Sequence, residues 1–162
     1  MVKTVTLRKM NNDEYMQWKE WSISDYAKSL IESGKYSENT AKSQAEAEFS
    51  SSLKNGLSTP NHHIFIAENV DGVPVGMIWY ETEDPKHAFI ADFVIYDQYR
   101  QMGYGYATLV EMENILRSTG VLSVELHVFE HNKTAITLYE KCGYSIMNDY
   151  TGDGSLYMKK QF

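Results

Sequence analysis

Ala91-Asp92-Phe93-Val94-Ile95-Tyr96-Asp97-Gln98-Tyr99-Arg100-Gln101-Met102-Gly103-Tyr104-Gly105-Tyr106-Ala107 is a β-rich run that feeds a glycine turn, and the turn opens a helix. The first backbone N–H groups of a helix have no partner inside it and carry the positive end of its dipole, so such a turn suits an anion. Gly103 and Gly105 let the chain come close to that anion. Two phosphate motifs are excluded on specifics. There is no Gly-x-x-x-x-Gly-Lys-(Ser/Thr) anywhere in the chain. A dinucleotide fingerprint would need glycine or alanine where Thr108 stands, and its acidic residue, about 20 positions on, would be Glu125, which lies in a different strand. Taken alone, the turn reads equally well as a plain reversal before a helix.

On either side of this stretch the pattern alternates between strand and helix. His87 to Tyr96 reads as a strand, and Leu109, Met112, Ile115 and Leu116 form a helical stripe that ends before Gly120. Val121 to Phe129 is a second β-rich run. Asn132 then caps a helix whose Ala135, Leu138, Tyr139 and Cys142 share a face, with Gly143 as its stop. Tyr144 to Met147 and Ser155 to Lys160 read as closing strands joined through Thr151-Gly152-Asp153-Gly154. Upstream, Ile64 to Glu68 and Pro74 to Glu81 flank Asn69-Val70-Asp71-Gly72, an antiparallel hairpin with a turn that tolerates positive φ. Val2 to Leu7 alternates like a strand. Asn11-Asn12-Asp13 offers caps for a helical region running to about Ser33-Gly34, and a third helical stretch follows Ser37, with Ala41, Ala45, Phe49 and Leu53 on one face and a stop at Gly56. The order is an α/β mixture with hairpins at both ends.

The chain has 162 residues with 43% hydrophobic and 23% charged, no repeat and no Pro/Ser-rich linker, so residues 1–162 read as one domain. At this length roughly 70% of the unfolded chain's surface can be buried, and a core forms without disulfides or a structural metal. Cys142 is the only cysteine, which rules out an intrachain bridge and any Cys/His zinc spacing. A net charge of −7 repels phosphate backbones, so a nucleic-acid partner is not expected. No stretch approaches the ~20 apolar residues of a membrane span, and MVKTVTLRKM lacks the apolar core of a signal peptide. The expectation is a cytoplasmic protein without a metal.

Arg100-Gln101-Met102-Gly103-Tyr104-Gly105 resembles the (Gln/Arg)-x-x-Gly-x-(Gly/Ala) signature of the GNAT superfamily of N-acetyltransferases. Leu126-His127-Val128-Phe129-Glu130-His131-Asn132-Lys133-Thr134-Ala135, followed by Leu138-Tyr139-Glu140-Lys141-Cys142-Gly143-Tyr144, is similar to that family's second stretch, at the right separation. The resemblance covers roughly Ala88 to Lys160, and the N-terminal half agrees in element order. Gln101 stands where the family often has glycine, and Asp97 where it often has proline. The resemblance implies a GNAT-like fold, with a mixed, mostly antiparallel central sheet flanked by helices, and acetyl-CoA as cosubstrate. Its pyrophosphate would be held by the amides of Arg100, Gln101, Met102, Gly103, Tyr104, Gly105 and Tyr106. Phe93, Val94 and Ile95 would pair with the pantetheine arm, with one N–H aimed at the thioester oxygen, and Asn132 and Ala135 would touch the cofactor. Core packing accounts for the side chains of residues 93–95 as well, and helix capping for Asn132. Pairing of sheet edges or terminal strands into a homodimer is a further implication.

The same resemblance makes Tyr139 both a cofactor contact and the general acid that protonates the departing thiolate; helical spacing alone would make it a core aromatic. An amine acceptor of pKa ~10.4 must lose a proton before attacking a thioester, so a base or a water path is required. Glu81, Glu83 and Asp84 cluster near the end of a hairpin strand and Asp92 borders the expected thioester; they read as a solvated acidic rim, or with Glu81 or Asp92 as the base or its water-orienting partner. His127 is held in reserve, and His62, His63, His87 and His131 show no metal spacing. Cys142 reads as a buried filler, since a helix C-terminus disfavours a thiolate. Tyr15, Trp18, Trp21 and Tyr26 read as core or as one wall of an acceptor pocket, where cation–π contact would suit an amine. The expected activity is acetyl transfer to a primary amine of a small molecule or peptide in a ternary complex. A non-catalytic acyl-CoA sensor, another acyl group, or a hydroxyl acceptor stay open beside it.

Overall fold

Asn11 starts the first helix as its type and spacing require: its side chain accepts from the Glu14 N–H at 2.9 Å, while the Glu14 carboxylate takes the Asn11 N–H at 3.0 Å. The computed structural model, which describes residues 2–147 and 154–162, carries that helix unbroken as α1 (Asn12–Glu32). No Gly or Pro interrupts those 21 residues, so the segment after Ser37 is the second helix, α2 (Glu38–Ser52), and not a third. A strand β1 (Thr6–Lys9) precedes them. It starts later than Val2 because its partner β2 (His62–Glu68) ends opposite Thr6. Then come β3 (Pro74–Asp84), β4 (His87–Ile95), α3 (Tyr104–Ser118), β5 (Ser123–Phe129), α4 (Lys133–Lys141), β6 (Ser145–Ile146) and β7 (Ser155–Gln161). Thr151, Gly152 and Asp153 of the expected closing turn lie outside the described residues.

The strands form one sheet in the order β1-β2-β3-β4-β5-β7-β6, with every neighbour antiparallel except β4 and β5. Alternation along β3 sorts its side chains between two cores. Ile78 and Tyr80 meet Leu109, Met112 and Leu116 of α3 and Ile136 and Tyr139 of α4. Met77 and Trp79 meet Tyr15 and Trp18 of α1 and Phe49 of α2 on the other face. This is the mixed, mostly antiparallel sheet flanked by helices that the resemblance implies. No helix among the described residues is long and apolar enough to cross a membrane.

Two features position the chemistry. The first is an ionic lock: buried Glu113 of α3 accepts from Lys160 Nζ at 2.7 Å and from the Tyr144 hydroxyl at 3.2 Å, while Lys160 also donates to the Cys142 carbonyl at 2.8 Å. It ties β7 to the end of α4, and the Tyr144 N–H in turn holds the Tyr139 carbonyl at 3.0 Å. The second is a bulge. Tyr80 pairs with Ile90 but Trp79 pairs with Asp92, so Ala91 is an extra residue in β4. A bulge bends its strand and re-aims its side chains. The parallel pairing with β5 runs only from His87↔Ser123 to Ile90↔Leu126 and ends at that bulge. Beyond it β4 and β5 part.

Candidate active site

The glycine loop has the geometry of an anion site. Gln101 (φ 59°) and Gly103 (φ 90°) both sit in the left-handed region, and Gly103 is the N-cap of α3. The N–H groups of Gln101, Met102, Gly103, Tyr104, Gly105 and Tyr106 donate to no acceptor among the described residues; the first helical bond from outside α3 is Ala107 N–H to the Gly103 carbonyl. Unsatisfied amides arranged around left-handed residues form a concave positive surface. Basic side chains gather there although the chain is acidic. Lys3 lies over the Tyr104 ring at 5.2 Å, Lys141 over the Tyr106 ring at 5.6 Å, and Arg100 bridges from Asp97 to the Ile95 carbonyl. Gly105 has a second duty. A Cβ there would stand 2.9 Å from Leu138 Cδ2, so its bareness lets α4 close against α3. Gly103→Ala is expected to lower the unfolding free energy by about 1–2 kcal/mol through the positive φ alone, read from chemical denaturation.

The parted strands make the second half of the site. Tyr96 N–H donates to the Val75 carbonyl at 2.9 Å, which assigns Val94 and Asp92 to the hydrogen-bonded pairs with β3 and turns the N–H of Phe93 and Ile95 toward the β5 side. There the register offers no partner strand. The Phe93 side chain packs in the α3/α4 core, Val94 against the α1/α2 core, and Ile95 beside Val75 and Tyr104.

Asp92 points toward α1. Its Oδ2 accepts from Trp18 Nε1 and Ser22 Oγ, each at 3.1 Å, and its Oδ1 from the Phe93 N–H at 2.9 Å. Burial pushes its pKa up to about 6 against the pull of those three donors, and the Asp25 charge adds to the rise. Tyr139 lies on the other face, its ring 6.3 Å from that of Phe93. Burial first, then the Asp92 charge, hold its phenol well above the usual range, so it keeps its proton at neutral pH. Its hydroxyl makes no hydrogen bond to another described residue, and Tyr139 as a whole is 7% exposed. Asn132 caps α4 by accepting from the Ala135 N–H at 3.2 Å.

Residues 15–144 of this chain match the family model "Acetyltransferase (GNAT) family". The chain belongs to the GNAT family. It is 33% identical over 145 residues to the uncharacterized N-acetyltransferase YycN of Bacillus subtilis strain 168, covering 87% of this chain and 92% of that one. The crystal structure of YycN superposes with a TM-score of 0.86 at 31% identity, over 91% of this chain and 96% of that one. The fold is shared with the PaiA N-acetyltransferase of Thermoplasma acidophilum, solved with coenzyme A (TM-score 0.73, 19% identity, 98% and 99% covered). It is shared also with the spermidine N-acetyltransferase of Vibrio cholerae, solved with CoA and spermine (TM-score 0.70, 14% identity, 98% and 95% covered). This chain is accordingly an acyltransferase of the N-acetyltransferase class.

The departure of this GNAT chain at Gln101 now has a physical meaning, because the position is left-handed and glycine adopts it without strain. Glu81 stands apart from the gap: it pairs across to Phe89, before the bulge, and its carboxylate accepts from the Glu83 N–H at 3.0 Å. Trp21 stands apart as well, 43% exposed, whereas Tyr15 and Trp18 pack with Phe49 and Trp18 also meets Trp79. Tyr26 packs on Phe129, and the His127 ring lies edge-on to Phe129 and Tyr157. Cys142 is buried, its thiol pushed up to about 11 by that burial, as a filler requires. Ser22, Lys3 and Lys141 escaped the sequence reading. The one signal for Ser22 was a small polar residue four positions after Trp18 on an apolar helix face.

Proposed function

We propose that this protein transfers the acetyl group of acetyl-CoA to a primary amine by direct attack in a ternary complex. The observation that carries the reading is the gap between β4 and β5, with the Asp92 carboxylate on one face, the Tyr139 hydroxyl on the other, and the unsatisfied amides of residues 101–106 beside it. The amides, with Arg100, take the pyrophosphate. The β5-facing edge of β4 at Phe93, Val94 and Ile95, which has no strand beside it, takes the pantetheine arm, and Asn132, Ala135 and Tyr139 line its other side. Asp92 is the base in preference to Glu81, since only Asp92 borders the gap. The amine nitrogen bonds to the thioester carbon as Asp92 or an intervening water accepts its proton. The carbon–sulfur bond then breaks, and the thiolate is protonated by Tyr139. An N–H on the β4 edge stabilises the oxyanion between these events.

The test is continuous detection of thiol release from acetyl-CoA across peptide N-termini, lysine derivatives, polyamines and aminoglycosides, with alcohols as controls. Release that requires and saturates with an amine is expected. Equal release with alcohols, or acetyl-CoA binding with no turnover on any amine, would overturn the proposal, the latter in favour of a sensor.

A further inference from the structure

Three donors converge on Asp92, and two come from one helix. Trp18 and Ser22 stand four residues apart on α1 and so share a face. The Trp18 indole is wedged against Phe49 (5.3 Å) and edge-on to Trp79 (5.6 Å), the cross-strand partner of Asp92, which leaves it little freedom to turn. Ser22 is 9% exposed. Filling the core requires neither the indole N–H nor the hydroxyl, yet both polar atoms are directed at the same carboxylate oxygen. The other oxygen, Oδ1, meets the Phe93 N–H, which the sheet register turns toward the gap.

We infer that Trp18 and Ser22 are positioning residues that clamp Oδ2 of Asp92, so that Oδ1, on the gap side, is the oxygen that exchanges protons, and that the clamp sets the pH range in which the base works. The inference rests on the assignment of Asp92 as the base. Both donors bond the ionised carboxylate and favour it, so removing either one raises the pH at which Asp92 loses its proton. The titratable groups coupled to it are Asp25 on α1 and Tyr139 on α4; its β3 neighbour, Trp79, does not titrate.

Ser22→Ala removes one donor and little volume. Carbon-13 NMR of Asp-labelled protein is expected to show the Asp92 carboxyl titrating about one to two units higher than in the parent. The bend in log kcat/KM against pH should move with it, so that the loss of rate is roughly tenfold greater at pH 5.5 than at pH 8 for each unit moved. Ser22→Thr keeps the hydroxyl and restores the titration toward that of the parent. Trp18→Phe, which keeps an aromatic ring and loses the N–H, shifts it upward. An Asp92 titration unmoved in both Ser22→Ala and Trp18→Phe, in proteins with near-parental Tm, would overturn the clamp. If Asp92→Asn leaves turnover intact, the base assignment falls separately, and the NMR titration still decides whether the two residues hold the carboxylate.

Discussion

Asp92→Asn is expected to lower kcat/KM for the amine roughly a hundredfold to ten-thousandfold, the range that a positioned general base supplies. In the parent, log kcat/KM should bend at about pH 6, rising as Asp92 loses its proton; in the variant that bend should vanish. The sign for stability runs the other way. The folded-state pKa of Asp92 lies above its ordinary 3.8, so its contribution to stability is present in full below pH 3.8 and is lost as the pH rises through about 6. The ionised carboxylate is thus held at a cost to the fold above pH 6, the range in which the proposed base would have to be ionised. Parallel pH–rate profiles of parent and variant on the best amine check the assignment, and a bend that survives in Asp92→Asn excludes it.

Tyr139→Phe is expected to reduce kcat by about 10²–10⁴-fold while changing the Kd for acetyl-CoA little, because only the proton for the leaving thiolate is lost. The ring that packs against Phe93 and Tyr144 is retained. The hydroxyl is held as a weak acid, since burial and the Asp92 charge both oppose its ionisation. In the proposed reaction it would give up its proton as the thiolate departs and not beforehand. Stopped-flow turnover together with calorimetric titration of acetyl-CoA separates the two quantities. Parallel losses in both, or no loss in kcat, would remove Tyr139 from the proton transfer.

The loop and the second motif were legible because their signals are local. Gly103 and Gly105 lie in one turn, and Asn132, Tyr139 and Gly143 lie on one short helix with its caps. The proposed preference for Asp92 over Glu81 was not legible. Both are acidic residues in neighbouring strands, and what separates them is a single inserted residue, Ala91, whose effect depends on the register of β3 against β4. The aromatic helix was half legible: the pattern marked Trp18 and Trp21 alike, and only the packing buries one and exposes the other.

By itself the amino-acid sequence determined the order of strands and helices, the glycine turn, the family motifs and the acidic character of the chain. The element order and the turn follow from side-chain periodicity, capping and glycine conformation within a few residues, the charge from composition, and the motifs from their likeness to the family. Tertiary structure alone decided where β4 leaves β5, and that Trp18, Ser22 and Asp92 meet although some seventy residues separate them. The reason is physical. A carboxylate's strength as a base is set by its burial and by the donors around it, and both are properties of the packed neighbourhood.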